Sequence, residues 1–293
     1  MKLRAVVILT SVLCVASYAN ATLIPLGDAA DYAILYTGTG GHNLQITNVT
    51  IDGNVGVGGA GKVQFSGPGT IAGRLDFSAA NTGQFSNGNS KNVGPTSVNY
   101  SVSAVTTALG TVNSLSSSLG GVGNNLAING TQSISESAGL LDTIGGVAYR
   151  IFNVTSYSES NGNLVTITGD GSGDPVVFNF GYNSNVNLGG DVALAGGLTD
   201  DQVLWNFTTS GKNISLNNNA SSYPSLAYQG IILAPNDAIS LDNSNLDGRV
   251  FGGGSGDLSI VSGDKIVDPV PEPATLCLLG LGGIGLLLRR RTR

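Results

Sequence analysis

The sequence is poor in the residues that most active sites and cross-links require. Its 293 residues include two cysteines, Cys14 and Cys277, and a single histidine, His42. Both cysteines lie in terminal segments that we expect to be removed, which would leave a mature chain without disulfides, thiolate metal sites or a cysteine nucleophile. One histidine cannot form a histidine pair at a metal ion. We therefore expect no bound metal and no cofactor, and a fold held together by packing and backbone hydrogen bonds.

Charged residues are also scarce, at 11% of the chain, and they are unevenly distributed. Of the 13 Lys and Arg and the 19 Asp and Glu, six bases and one acid lie in the two terminal segments described below. The body between those segments keeps 7 bases against 18 acids, a net charge of −11. A surface this acidic repels phosphate backbones, so the composition argues against nucleic acid as a partner.

The C-terminal tail, 271–293, has three parts in a fixed order: a proline-flanked acid, an apolar run and a basic end. These parts are Pro271, Glu272 and Pro273, then residues 274–288, then Arg289, Arg290, Arg291 and Arg293. The apolar run covers roughly 22 Å as a helix, against a hydrocarbon core of ~30 Å. It can insert with local thinning of the bilayer while the arginines stay on the cytoplasmic side. We predict a transmembrane segment at 274–288.

This tail resembles the PEP-CTERM sorting signal of Gram-negative bacteria. The resemblance covers residues 271–293 and implies that an exosortase cuts near the Pro-Glu-Pro motif, after which the protein passes to the cell surface or the extracellular matrix. The precursor would be held transiently in the inner membrane with its body outside. The alternative interpretation is a simple C-terminal membrane anchor.

The N-terminus has the features of a signal peptide. Two bases, Lys2 and Arg4, precede a short apolar run, and Ala19 and Ala21 form an A-x-A cleavage site. We predict that signal peptidase removes residues 1–21.

The body alternates apolar and polar residues over short stretches that glycine and asparagine interrupt. Glycine accounts for 44 residues and hydrophobic residues for 41% of the chain, which favours an ordered all-β repeat structure over disorder. Leu44–Ile46, Lys62–Phe65 and Leu164–Thr168 are examples of the predicted strands. Short strands with tight corners are typical of a β-solenoid, although no strict repeat length emerges. The polar stretch 78–96 is predicted as a loop.

One stretch has helical periodicity instead. Seven apolar residues between Val98 and Leu119 are spaced three or four apart, which predicts a helix at about 97–119. Thr96 or Ser97 could cap its start, and Gly120 follows its end. We expect no other long helix in the mature domain.

Several blocks of the body resemble choice-of-anchor A domains and the ice-binding-like adhesin fold. The resemblance is carried by residues 26–35, 52–59, 203–207, 230–236, 239–241 and 246–251. It implies an all-β fold, a right-handed parallel β-helix with one flanking α-helix over residues 22–263, followed by a linker at 264–270.

The ice-binding relatives bind ice through a flat β-face rich in Thr, Ala and Ser. In this sequence the only Thr-x-Thr pairs are Thr37 with Thr39 and Thr166 with Thr168, and no regular ladder of such pairs is visible.

No group of residues in the body has the pattern of a catalytic site. His42 lies among glycine and asparagine residues, a loop composition, and no Gly-x-Ser-x-Gly motif accompanies it. The acidic pairs Asp170 with Asp174 and Asp200 with Asp201 are interpreted as solvated turns. The first pair could also offer oxygens to Ca²⁺, but it lacks the other acids of an EF-hand loop. We predict that the protein is not an enzyme.

Together these features predict an exported structural or adhesive protein of the bacterial cell surface or extracellular matrix. Its partners would be signal peptidase, exosortase, the inner membrane during sorting and extracellular polysaccharide. The alternative is an ice- or carbohydrate-binding module that uses a flat face of the β-helix. A third hypothesis is an enzyme that acts on polysaccharide. A cluster of outward-facing acidic residues would favour it, and the sequence shows no such cluster.

Overall fold

A computed structural model describes residues 23–81, 83–181, 183–220 and 227–267 of the chain. The predicted signal peptide, with its cleavage site at Ala19 and Ala21, lies outside the described residues, as do the sorting motif, the apolar run 274–288 and the terminal arginines. Over the part that the structure describes, the chain forms 24 strands and one α-helix. No helix in that part is long and apolar enough to cross a membrane.

Nine short strands precede the helix, and alternating apolar residues build most of them as the sequence predicts. They are β1 (Ile34–Tyr36), β2 (Asn43–Thr47), β3 (Thr50–Asp52), β4 (Val55–Val57), β5 (Lys62–Ser66), β6 (Thr70–Ile71), β7 (Leu75–Ser78), β8 (Gln84–Asn87) and β9 (Val98–Val102).

The helix α1 spans Ser103–Leu119, and fifteen strands follow it. They are β10 (Asn124–Asn129), β11 (Gln132–Ser135), β12 (Leu140–Ile144), β13 (Val147–Ser158), β14 (Leu164–Thr168), β15 (Val176–Phe180), β16 (Val186–Gly189), β17 (Asp191–Ala195), β18 (Val203–Phe207), β19 (Asn213–Asn217), β20 (Tyr228–Ala234), β21 (Ala238–Asp242), β22 (Asn245–Gly252), β23 (Leu258–Val261) and β24 (Lys265–Val267).

The strands form three sides of a solenoid. The helix-covered sheet has the order β10-β13-β15-β18-β20-β22-β1-β4-β7-β9, and the open sheet has the order β16-β19-β21-β23-β2-β5-β8. The third side consists of β11-β14-β17 and of β24-β3-β6. The chain visits the three sides in turn before the helix and again from β15 onward, whereas the coils that contain β10 and β13 have no strand in the open sheet. The strand pairs are parallel except for β12 with β13. The right hand of the coils stays a prediction.

The coils differ in length, which explains why no strict repeat is visible in the sequence. Phe152, Phe178, Trp205, Ile232 and Val250 occupy paired positions on successive strands of the helix-covered sheet. The step from Ile232 to Val250 is much shorter than the step from Phe178 to Trp205. A search for one fixed period therefore fails, although every coil contributes a strand to the same sheet.

The order of the coils in space differs from their order in the sequence. The first coil of the chain stacks on the last one, because β1 pairs with β22, β2 with β23 and β3 with β24. Helix α1 carries the chain from β9, at one end of the helix-covered sheet, to β10 at the other end. The two blocks of coils therefore meet inside the solenoid, at a place we call the internal junction.

The predicted helix start is wrong. The helix begins at Ser103 rather than at about 97, because Val98–Val102 pairs with β7 as strand β9. Val98 packs against the solenoid core, and valine suits a strand better than a helix. The proposed caps are therefore wrong as well, since the residue before the helix is Val102 and makes no side-chain capping bond.

Two predicted non-strand stretches also contain strands. Gln84–Asn87 lies in the predicted loop 78–96, yet it pairs with β5 and places Phe85 against the core. Lys265–Val267 lies in the predicted linker 264–270, yet it pairs with β22 and β3. Ile266 is fully buried there, so the solenoid extends beyond residue 263.

Aromatic rings fill the middle of the solenoid. Phe152, Phe178 and Trp205 occupy paired positions on three successive strands, and the rings stack at 5.3 Å and 4.5 Å between centroids. Phe180 stacks on Phe207 at 4.4 Å. Such stacks bury large apolar areas and hold successive coils in register.

Helix α1 packs on the outer face of the helix-covered sheet. Val105, Ala108 and Val112 join a buried cluster with Leu204 and Ile231 of the sheet. The end of the helix is tied down by the asparagine row described next.

Two asparagines of the helix-covered sheet bind the carbonyls at the end of the helix. Asn206 Nδ2 donates to Ser116 O at 3.1 Å and to Asn179 Oδ1 at 2.8 Å, and its Oδ1 accepts from Ser116 Oγ at 2.7 Å. Asn179 Nδ2 donates to Leu119 O at 2.7 Å and to Val122 O at 3.0 Å. Carbonyls at a helix C-terminus lack partners within the helix, and this row supplies them.

Candidate binding face

The open sheet has one buried face and one solvent-facing face. Ile214 and Leu216 point into the core from β19, whereas Ser215 between them is half-buried and faces outward. The same alternation appears in β21, β2 and β5. We call the outward side of this seven-stranded sheet the open face.

A central row of uncharged hydrogen-bonding side chains runs across all seven strands of the open face. In spatial order the row is Asn187, Ser215, Ser240, Ser259, Gln45, Gln64 and Ser86. Neighbouring strands in a sheet are about 4.8 Å apart, so the row is about 29 Å long. Each member offers hydroxyl or amide groups, which donate and accept hydrogen bonds.

Local hydrogen bonds orient several of these side chains. Ser215 Oγ lies 3.3 Å from Asn187 Oδ1, and Gln45 Nε2 donates to Asp257 Oδ2 at 3.0 Å. In the neighbouring row, Thr47 Oγ1 and Ser66 Oγ lie 2.9 Å apart. A bound partner would therefore meet side chains that are partly ordered in advance, which lowers the entropy cost of binding.

Within its seven described strands, the open face has little charge and no outward aromatic ring. Lys62 and Asp242 are the only charged residues in those strands. Phe65 is buried, and Phe85 packs against the core, so neither presents a platform for ring stacking. The arrangement suits a neutral, hydroxyl-rich partner that is bound through hydrogen bonds.

The third side carries a smaller patch of Ser, Thr and Ala. Ser133, Thr166 and Ala193 are paired across β11, β14 and β17, and a second row two positions further along contains Ser135, Thr168 and Ala195. Thr166 and Thr168 are therefore each paired with a serine of β11 on one side and an alanine of β17 on the other. The other predicted pair, Thr37 and Thr39, lies at a corner after β1 and belongs to no sheet.

The acidic pairs and His42 sit at corners. Arg150 contacts Asp170 at 3.4 Å and Asp174 at 3.3 Å, and Glu136 accepts from Asp170 N at 2.8 Å, so this turn is held by the protein itself. His42 Nδ1 lies 3.7 Å from Asp257 Oδ1 in a half-exposed position.

The second acidic pair stands near a buried arginine. Burial, with Asp201 and Asp247 nearby, raises the pKa of Asp200 to about 6. Arg249 Nε donates to Asp201 Oδ1 at 3.2 Å. Across the described ranges, no group of three or more His, Cys, Asp or Glu side chains is placed to hold a metal ion.

Sequence reasoning identified the strands of the open face except β8, which lies in the predicted loop 78–96, and missed the row that crosses them. The available signal was a repeated apolar–Ser/Gln–apolar triplet, as in Ile214–Leu216, Ile239–Leu241, Leu258–Ile260 and Leu44–Ile46. The asparagine row under the helix had a signal too, an aromatic–Asn–Phe triplet at 178–180 and again at 205–207.

Comparisons with known structures agree with the solenoid. The chain is similar to an ice-binding protein of the Antarctic ascomycete Antarctomyces psychrotrophicus, with 13% identity, 85% of this chain and 100% of that chain covered, and a TM-score of 0.53. An ice-binding protein of an Arctic yeast gives 16% identity, 87% and 98% coverage and a TM-score of 0.53. An ice-binding protein of an Antarctic Flavobacteriaceae bacterium has 18% identity and a TM-score of 0.52, with 86% of this chain and 48% of that chain covered. Likeness at these identities shows the fold, a β-helix.

Comparisons of the sequence add the family. A search among curated proteins finds no match. A family model described as an ice-binding-like adhesive domain matches residues 18–255, and a model of the PEP-CTERM protein-sorting motif matches residues 269–291. The sorting motif implies export to the cell surface and processing by an exosortase at the membrane. Neither this family nor the similar structures are described as enzymes. The chain belongs to the ice-binding-like adhesive domain family and ends in a PEP-CTERM sorting motif.

Proposed function

We propose that the protein is an adhesive component of the bacterial surface or matrix whose open face binds neutral polysaccharide. The observation that carries this proposal is the central row of Asn, Ser and Gln across seven parallel strands. Hydroxyl and amide groups pair readily with sugar hydroxyls, because both partners donate and accept hydrogen bonds.

The charge of the body supports a neutral partner. With a net charge of −11, the body repels acidic polymers at long range. The charged groups at the open face are Lys62 and Asp242 in its strands and Asp257 beside them, which accepts from Gln45. A polysaccharide without carboxylates or sulfates would not experience that repulsion.

Repetition supports adhesion over tight single-site binding. Each hydrogen bond contributes only about 1 kcal/mol, and no outward ring in the seven strands adds stacking energy. A polymer that lies across several members of the row engages them together, so its apparent affinity rises with the number of contacts. That behaviour suits a matrix protein that must hold a long chain.

The export route belongs to the same proposal. Signal peptidase would remove residues 1–21, the run 274–288 would hold the precursor in the inner membrane, and exosortase would cut near Pro271, Glu272 and Pro273. The terminal residue patterns and the matched sorting motif support this route. A chain that lacks residues 274–293 is expected to enter the medium instead of the surface fraction, and cell aggregation is expected to fall. Unchanged surface retention would contradict the sorting role.

Ice binding is a second candidate, and two observations favour it. The chain belongs to an ice-binding-like adhesive family, and the third side places small residues in two regular rows around Thr166 and Thr168. A flat array of small side chains at regular spacing is the surface that the ice-binding relatives are expected to use.

One experiment separates the two candidates through paired variants. The first variant carries Gln45→Ala and Gln64→Ala on the open face, and the matched control carries Thr166→Ala and Thr168→Ala on the third side. Retention on an insoluble neutral glucan is expected to fall at least about tenfold in the first variant only, because two hydrogen bonds are lost.

Thermal hysteresis is measured on the same proteins. Hysteresis that the threonine variant loses, together with glucan retention equal in all three proteins, would favour ice binding and contradict the polysaccharide proposal. Retention on an acidic polysaccharide serves as the charge control and is expected to be weak throughout.

A further inference from the structure

The two ends of the solenoid differ from the rest of its surface. The described residues contain five exposed large hydrophobic side chains, and four of them lie at the ends. Val93, beside β6, is 60% exposed, and Tyr100, in β9, is 56% exposed. Leu140 and Leu141, both in β12, are 37% and 54% exposed. We call the first pair the β9 end and the second pair the β10 end.

Each end also terminates a parallel sheet. In the described part of the chain, β9 pairs only with β7, and β10 pairs only with β13, so each presents one side without a strand neighbour. Both run in the same direction as the strands between them. A second copy, shifted along the solenoid axis, would therefore meet β9 with its own β10 in parallel orientation, and an exposed strand edge is a template for such pairing.

The internal junction demonstrates that this chain already joins coils in this way. The first and last coils are separated by nearly the whole body of the sequence, yet they pair through β1 with β22, β2 with β23 and β3 with β24. That contact forms between two blocks that no short connection holds together. An end-to-end contact between copies would repeat it.

Size and charge fit such a contact. The coil at the β9 end runs from Leu75 to its neighbour Val98, and the coil at the β10 end runs from Asn124 to its neighbour Phe152. A standard protein interface uses about 20–30 residues on each side, and a single coil at either end contains about that many residues. The only charged residue in the segment 79–102 is Lys91, whereas the only outward charge in the segment 121–146 is Asp142, because Glu136 is buried.

The end strands are not ideal edges. The pairing of β10 with β13 shifts register between Leu126 and Ala127, and that of β9 with β7 shifts after Asp76. Such irregularities weaken backbone pairing at an edge, so the apolar side chains are expected to carry most of the contact.

We infer that copies of this protein associate head to tail, with the β9 end of one copy on the β10 end of the next. The two surfaces are different, so the contact is heterologous, and a heterologous contact that does not close into a ring builds an open filament. This assembly goes beyond the proposed binding of polysaccharide, because it uses the ends of the solenoid and leaves the open face free.

Cysteine cross-linking on the full chain tests the orientation. The full chain is produced in an exosortase-carrying bacterium with Tyr100→Cys and Leu141→Cys together, and the cells receive a flexible thiol cross-linker. A ladder of dimers, trimers and longer species is expected. Each single variant is expected to remain monomeric, and any link through Cys14 or Cys277 would appear in both singles. The pair Asp242→Cys with Leu141→Cys is the control for random encounters, since Asp242 is exposed on β21, an interior strand of the open sheet.

Charged variants test the same contact without cross-linking. Chains with Tyr100→Lys or with Leu141→Lys, recovered from the host after processing, are each expected to sediment as monomers. Their mixture is expected to sediment as a dimer and no further, because one intact end of each kind remains. A wild type that stays monomeric, a ladder no longer than that of the control pair, or dimers from a single cysteine variant beyond those that the cross-linked wild type forms would overturn the inference. Glucan retention by the charged variants should be unchanged, which separates this result from the polysaccharide proposal.

Discussion

The open sheet and the helix-covered sheet have similar apolar inner faces but different outer faces. Both bury alternating apolar residues in the solenoid core. Outside, the helix-covered sheet presents Leu204 and Ile231, which pack beneath α1, whereas the open sheet presents Ser215, Ser240 and Ser259 to solvent. The inner alternation therefore determines the fold, and the outer residue determines whether a sheet binds part of its own chain or a partner.

Polar residues on the helix-covered sheet sharpen the contrast. Asn179 and Asn206 are as hydrophilic as the asparagines of the open face, but they are buried and bound to the helix terminus. The side chains of the polar row under the helix make their hydrogen bonds within the protein. The side chains of the polar row on the open face remain accessible to a partner. The four predictions below test this difference, from the largest expected effect to the smallest.

The largest effect is expected from Leu204→Ala. Leu204 is fully buried between the sheet and α1, and truncation of a buried leucine leaves a cavity. The free energy of unfolding should fall by about 3 kcal/mol, within the range of roughly 2–5 kcal/mol for such changes. Denaturant unfolding measures it. A loss below about 1 kcal/mol would mean that the helix contributes little to the stability of this sheet.

A smaller loss is expected from Asn206→Ala. The change removes the bonds to Ser116 O and Asn179 Oδ1 and leaves the Ser116 hydroxyl without its acceptor. Unpaired buried groups cost about 1–3 kcal/mol, and amide hydrogen exchange should accelerate in the last turn of α1. Asn213→Ala, an exposed asparagine on the open sheet, is the matched control and should change neither quantity. Equal effects would remove the distinction between the two asparagine environments.

The pH dependence of stability should come from buried acids and not from the open face. Burial raises the pKa of Asp191 from 3.8 to about 6, partly offset by a hydrogen bond from Asn218. The folded state then binds more protons than the unfolded state between these values. The contribution of Asp191 to stability is therefore fully present below about pH 4 and is lost as the pH rises through about 6.

Asp191→Asn should reduce this slope without abolishing it, because burial also raises the pKa of Asp264 and of Asp200 to about 6. Denaturant unfolding between pH 4 and pH 7 measures the slope in both proteins. Glucan retention should stay constant from pH 5 to pH 8, since the central row has no titratable group. If the variant shows the same dependence of unfolding free energy on pH, then groups other than Asp191 cause that dependence.

The smallest effect on stability is expected from Ser240→Ala. Ser240 stands in the middle of the central row with its side chain facing solvent, so the free energy of unfolding should change by less than about 0.5 kcal/mol. Glucan retention should nevertheless decrease. A stability loss comparable to that of Leu204→Ala would show that the open face is a structural surface.

Local patterns in the sequence predicted most of the strands but did not predict which strands pair with each other. Ile214–Leu216 and Leu258–Ile260 are recognisable as strands from alternation alone. That Gln45 stands beside Ser259 is not recognisable, because the pairing crosses the internal junction and the coils differ in length. The central row could therefore be suspected from repeated triplets, but its order could not be derived.

The helix start illustrates a second limit. Val98 and Val102 fit a helical spacing of four, and Val98, Tyr100 and Val102 also fit the spacing of two that a strand requires. Only the pairing of Val98 with Leu75, a tertiary contact, decides between them. Ambiguity of this kind is expected wherever β-branched residues adjoin a weakly helical stretch.

The internal junction also governs the order in which the protein can fold. The N-terminal coils are synthesised first, yet β1 has no partner on one side until β22, near the other end of the body, has been made. Folding must therefore join distant parts of the chain, and contacts at such separation form slowly. The strand that completes the stack on the third side, Lys265–Val267, lies immediately before the sorting tail. A chain exported unfolded from its N-terminus would therefore reach the outside without a closed solenoid and would complete its fold there.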